Sequence, residues 1–122
     1  MKQLNVLVID DEEVICDACE LILSEEGHTV TSRNNGRSGV DAIREGDYDI
    51  LLLDMKLPDF DGMDILKVVR KEKPELCTII MTGYSSISNA VDAMRKGADN
   101  YLAKPFTEDE LLQAIEESYT HR

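Results

Sequence analysis

Short apolar runs recur along the chain, at Leu4 to Ile9, His28 to Ser32, Ile50 to Leu53, Cys77 to Met81 and Asn100 to Leu102. Between them, apolar residues fall at helical spacing. Val14, Ala18, Leu21 and Ile22 form one expected face, and Val40 and Ile43 a second. Ile65, Leu66 and Val69 form a third, Ile87, Ala90, Val91 and Met94 a fourth, and Leu111, Leu112 and Ile115 a fifth. Five strands alternating with five helices predict an α/β, doubly wound parallel sheet with helices on both faces. The strand runs lack strict alternation, as strands buried on both sides do.

The punctuation fits that reading. Gly27, Gly46 and Gly97 follow helical stretches, where a left-handed residue commonly ends a helix. Pro74 stops the third helix. Thr107 and Glu110 have the spacing of a capping box, with Phe106 and Leu111 as its hydrophobic staple. No linker, repeat or low-complexity stretch divides the chain, so residues 1–122 are expected to be one domain.

In open α/β sheets, ligands bind beyond the carboxyl ends of the strands. After the first strand come Asp10 and Asp11, in "VLVIDDEE". Asp54 follows the third, in "LLLDMKLPDFDGMDIL", Thr82 the fourth, in "IIMTGYSS", and Lys104 the fifth, in "GADNYLAKPF". Three carboxylates gathered on one edge stay ionised together when a cation neutralises them. A hard ion such as Mg²⁺ takes oxygen ligands and is commonly shared between a few carboxylates and a phosphate. A carboxylate can also act as a nucleophile and form an aspartyl-phosphate. The Lys104 ammonium and Thr82 hydroxyl would then meet the phosphoryl oxygens.

These pieces, in this order, resemble the receiver domain of two-component response regulators over essentially the whole chain. The resemblance implies the flavodoxin-like strand order 2-1-3-4-5. It makes Asp54 the phosphoacceptor, and Asp10, Asp11, Asp54 and the backbone carbonyl of Lys56 the Mg²⁺ ligands. Lys104 and Thr82 would contact the phosphoryl group. Thr82 and Tyr101 would form the switch, and the Lys104-Pro105 bond is expected to be cis. A histidine kinase or histidine phosphotransfer protein is the implied donor. The face of helix four, strand five and helix five is the implied contact for an output domain or a second copy. "GADNYLAKPFTEDELLQAIEES" also resembles receivers of NtrC-type transcription activators, so transcription control is the implied output, with a stand-alone receiver as the alternative. Lys56 and Tyr84 lie two residues beyond Asp54 and Thr82, and long side chains there are expected to shield the phosphate and slow its hydrolysis.

Other residues have plainer readings. Glu12 and Glu13 are expected to be first-turn helical acids on a solvated face. Asp10 and Asp11 taken alone also suit a helix start. Asp61 suits a helix cap, and Asp59 a turn residue after Pro58. Cys16-x-x-Cys19 has redox spacing, but it lies within a helical pattern and lacks the flanking residues of that motif. Cys77 reads as a buried thiol, and His28 and His121 have no partner set for catalysis or metal.

Composition narrows the classes. Apolar residues make up 43% of 122 positions, enough for a real core. The net charge of −12 opposes direct nucleic-acid binding. The apolar runs are too short to span a membrane and no signal peptide opens the chain, so a soluble cytoplasmic protein is expected. Two other functions compete. A haloacid-dehalogenase-like phosphohydrolase wants a second Asp where Lys56 stands, and a flavodoxin-type flavin carrier wants a polar phosphate loop where the acidic run lies.

Overall fold

The computed structural model describes residues 2–83 and 87–120, with backbone alone for 87–89. Five strands and five helices alternate. They are β1 (Asn5–Ile9), α1 (Glu13–Glu25), β2 (Thr29–Arg33), α2 (Gly36–Glu45), β3 (Ile50–Asp54), α3 (Gly62–Glu72), β4 (Cys77–Thr82), α4 (Ile87–Arg95), β5 (Asn100–Ala103) and α5 (Glu108–Thr120). All strands are parallel, in the order β2-β1-β3-β4-β5.

The sheet splits the core in two. Val6, Val8, Ile50, Leu52, Ile79 and Met81 face one side, packed with Cys16, Cys19 and Leu23 of α1 and Leu111 and Ile115 of α5. Leu7, Ile9, Leu51, Leu53 and Ile80 face the other, packed with Ile43 of α2, Ile65, Leu66 and Val69 of α3 and Ala93 of α4. Successive residues point to opposite faces, and both faces are covered, so every residue of β3 and β4 is buried.

Two helical faces differ from the sequence reading. Val14 and Leu21 are exposed, and α1 instead buries Cys16, Cys19 and Leu23, with Ile15 and Ile22 beside them. On α4, Ala90 and Ala93 are buried while Val91 and Met94 are exposed. The burial also explains the cysteines: desolvation pushes the Cys19 thiol up to about 12 and raises that of Cys16, opposite to what a reactive pair requires. Cys77 is fully buried in β4.

The caps follow the sequence closely. Glu110 N–H donates to Thr107 Oγ1 (3.1 Å) and Thr107 N–H to Glu110 Oε1 (2.8 Å), and Phe106 and Leu111 join one cluster. Asp61 accepts from Met63 N–H at 2.9 Å and caps α3, whose last residue is Glu72, two before Pro74. Gly27 and Gly97 have φ of +88° and +107°, whereas Gly46 ends α2 at −112°, extended rather than left-handed.

Candidate functional site

Register brings the chemistry to one edge. Ile9 pairs with Leu53, so Asp10 and Asp54 leave adjacent strands side by side. Thr82 pairs with Ala103, so Lys104 follows β5 directly, and its N–H donates to the Thr82 carbonyl at 2.7 Å. Asp10, Asp11 and Asp54 each offer a carboxylate oxygen within 4.8 Å of the others. Asp10 and Asp54 are buried and Asp11 is exposed at the mouth.

The Lys104 ammonium enters this cluster. It lies 2.7 Å from Asp10 Oδ2, 2.9 Å from Glu12 Oε2 and 3.6 Å from Asp54 Oδ1. Burial works against its charge, but the hydrogen bonds to Asp10 and Glu12 outweigh that and raise its pKa. Asp54 is shifted up to about 6, first by burial and then by the neighbouring Asp10, with Lys104 pulling the other way. Its Oδ1 also accepts a long bond from Lys56 N–H, at 3.4 Å. One ammonium does not settle three carboxylates, and the remaining negative charge suits a hard cation with oxygen ligands.

The cavity over the cluster has a volume of about 430 Å³, with Ile15, Lys56, Gly83 and Pro105 in its walls. The Lys104-Pro105 peptide bond is cis. Gly62 supports the floor. A Cβ there would meet Met55 Cα at 2.6 Å and the Asp54 carbonyl oxygen at 2.8 Å, both backbone atoms. Thr82 is buried at the end of β4, beside the cluster. Tyr101 is half exposed and, with Ala90, Val91, Met94 and Arg95, lines a separate groove between α4 and β5. The Lys56 side chain is exposed, and among the described residues it has no ion-pair partner within 4 Å. Tyr84 and His121 lie outside the described residues.

Two acids behave differently from their sequence reading. Glu12 is the residue ahead of α1, and its side chain reaches Lys104 instead of resting on a solvated face. It makes no side-chain cap, and neither do Asp10 and Asp11, although Asp10 Oδ1 accepts from Glu12 N–H at 2.9 Å. Asp59 is more than a turn residue: it accepts from Gly36 N–H (2.7 Å) and Arg37 N–H (3.0 Å), holding the start of α2 from the loop after Asp54. Glu12 and Lys104 are 92 residues apart and Asp59 and Gly36 are 23 apart, so no local signal announces either contact. His28 is buried, and its Nδ1 accepts from Leu4 N–H at 3.0 Å, a structural role.

Comparison with known proteins decides the family, because the response regulator receiver domain matches residues 6–116. The chain belongs to the response regulator receiver family. This receiver is 37% identical over 121 residues to the DNA-binding transcriptional regulator NtrC of Proteus hauseri, covering 99% of this chain and 26% of that protein. It is 38% identical over 115 residues to the uncharacterized transcriptional regulatory protein YkoG of Bacillus subtilis, covering 94% of this chain and 50% of that one. A solved receiver domain protein from Clostridium thermocellum superposes with a TM-score of 0.90 at 35% identity, covering 97% of this chain and 95% of that one. NtrX of Brucella abortus superposes at 0.94 with 33% identity, covering 98% of this chain and 27% of that one. The chain thus spans half or about a quarter of these curated relatives, which are transcription regulators by name. Among the described residues no helix is long and apolar enough to cross a membrane.

Proposed function

We propose that this receiver takes a phosphoryl group on Asp54 from a phosphohistidine of a kinase or phosphotransfer protein. The observation that carries the reading is the juxtaposition of a buried Asp54 with Asp10, Asp11 and the Lys104 ammonium. A carboxylate oxygen of Asp54 attacks phosphorus, the P–N bond breaks, and the imidazole leaves with the electron pair. Asp10, Asp11, Asp54 and the Lys56 carbonyl are the groups that would hold Mg²⁺, which when bound neutralises phosphoryl oxygens during transfer.

The chain's own groups do the rest. Lys104 Nζ is 3.6 Å from Asp54, close enough to close onto a phosphoryl oxygen with a small shift. The Thr82 hydroxyl turns to donate to a second oxygen. The backbone bond from Lys104 N–H to the Thr82 carbonyl holds the two strand ends side by side, so both side chains face the same phosphoryl group. Tyr101, now half exposed, turns into the space Thr82 leaves, and the groove at Ala90, Val91 and Met94 changes shape. That face carries the signal to an output domain or a second copy, as a local charge event biasing two states. Transcription control in the cytoplasm is the output that the relatives support, exercised through a partner domain rather than by nucleic-acid contact from this acidic one. Lys56 stands in the cavity wall and shields the phosphate, so Lys56→Ala shortens its lifetime.

The test is intact mass after incubation with acetyl phosphate. One added phosphoryl group is expected, dependent on Mg²⁺ and absent in Asp54→Ala. Mass gain in Asp54→Ala, or none in the wild type with either acetyl phosphate or a phosphorylated histidine kinase, overturns the reading.

A further inference from the structure

Glu12 takes no part in the chemistry proposed above, yet its carboxylate is one of the two closest partners of the Lys104 ammonium. An ammonium has three donors. Here the short contacts go to Asp10 (2.7 Å) and Glu12 (2.9 Å), and the Asp54 contact is long (3.6 Å). Lys104 itself is largely enclosed, while the Glu12 side chain is 59% exposed at the rim of the cavity. Glu12 therefore offers the ammonium a partner at the rim of the cavity, outside the three carboxylates of the cluster.

We infer that Glu12 is a positioning residue that holds Lys104 off Asp54 and so keeps the carboxylates open to a divalent cation. An ammonium and a divalent ion compete for the same oxygens, and like charges packed together repel. Without Glu12, the remaining acid partners of Lys104 are Asp10 and Asp54, two of the three carboxylates of the cluster. Lys104 then settles onto them and acts as an internal competitor. With Glu12 present, the ammonium has a carboxylate outside the cluster to rest on, and it remains within reach for a later phosphoryl group. Glu12 thus sets how readily the site loads its cation and when Lys104 is released toward Asp54. The inference rests on the receiver chemistry proposed above, which supplies the reason for a cation.

Glu13 provides the control, because it is an exposed acid in the first turn of α1 and is not among the ion-pair partners of Lys104 within 4 Å. Two readouts are needed on Glu12→Gln, Glu13→Gln and the wild type. In metal-free buffer, acetylation of Lys104 by limiting acetic anhydride, followed by peptide mass spectrometry, reports the tether. Labelling of Lys104 is expected to change in Glu12→Gln and to match the wild type in Glu13→Gln. By calorimetric titration, Mg²⁺ affinity is expected to fall about two- to fivefold more in Glu12→Gln than in Glu13→Gln, the range an exposed ion pair supports. In a Lys104→Met background that difference is expected to vanish, since the competitor is gone. Equal affinity in Glu12→Gln and Glu13→Gln, or a difference that survives Lys104→Met, overturns the inference. A wild type that binds no Mg²⁺ overturns the proposed cation site itself, and with it the loading role of Glu12. Unchanged labelling of Lys104 in Glu12→Gln shows that no tether exists, whatever the metal does.

Discussion

The two edges of this sheet use the same residue type to opposite ends. At the amino edge, Asp49 accepts from Asn5 N–H and Asp99 from Thr78 N–H, both at 2.8 Å. Each carboxylate there meets a backbone donor that the parallel sheet leaves at the start of a strand. At the carboxyl edge the strands end in carbonyls, and Asp10, Asp11 and Asp54 mainly face one another and one ammonium. These two amino-edge carboxylates each meet a backbone donor, whereas the carboxyl-edge cluster carries more negative charge than its one ammonium balances. Crowded like charges at a strand edge are the kind of local conflict that functional sites carry.

That contrast predicts opposite signs for similar substitutions. The largest effect belongs to the amino edge, where Asp99→Ala leaves the fully buried Thr78 N–H without its acceptor. Chemical denaturation is expected to show a loss of about 1–3 kcal/mol. At the other edge, Asp54→Asn removes a charge that burial and Asp10 disfavour. It is expected to stabilise the metal-free protein at pH 7 by ~1–2 kcal/mol, the rest being offset by the partner that Lys104 loses. A destabilised Asp54→Asn would break the comparison.

A pH series sharpens it further. An acid raised in the folded state binds its proton more tightly folded than unfolded. The contribution of Asp54 to stability is therefore full below its ordinary value of 3.8 and is lost as pH rises through about 6. Added Mg²⁺ is expected to restore stability above that window and to do nothing in Asp54→Ala. Asp59 runs the other way. Hydrogen bonds from Gly36 and Arg37 N–H hold it below the usual carboxylate range, so its contribution is present above its ordinary value and lost as pH falls through the folded one. Carbon-13 carboxyl shifts read both titrations in one experiment. The smallest effect is expected at Glu13→Gln, whose acid is exposed, with stability unchanged within about 0.5 kcal/mol.

The sheet was legible because strands buried on both faces read as bare apolar runs, and β3 and β4 are wholly buried. The strand-end residues followed from the rule that such sheets work at their carboxyl edge, which is where Asp10, Asp54, Thr82 and Lys104 lie. The face of α1 was harder. Val14 with Ile15, and Leu21 with Ile22, are adjacent apolar pairs, and a rotation of one residue selects a different stripe. The stripe that packs runs through Cys16 and Cys19, which the expected face of Val14, Ala18, Leu21 and Ile22 left out. On α4 the buried positions among the described side chains are Ala90 and Ala93, and an alanine carries too weak an apolar signal to mark a face beside Val91 and Met94. Glu12 on Lys104, and Asp59 on α2, are contacts between distant loops, which periodicity does not encode.

The bond from Lys104 N–H to the Thr82 carbonyl makes one amide proton a gauge of the whole edge. It closes the last rung between β4 and β5, and its exchange with solvent requires Thr82 and Lys104 to part. Where the two residues travel as a unit, that proton stays protected through the switch while its neighbours in the loops exchange. Where they separate, its protection is lost.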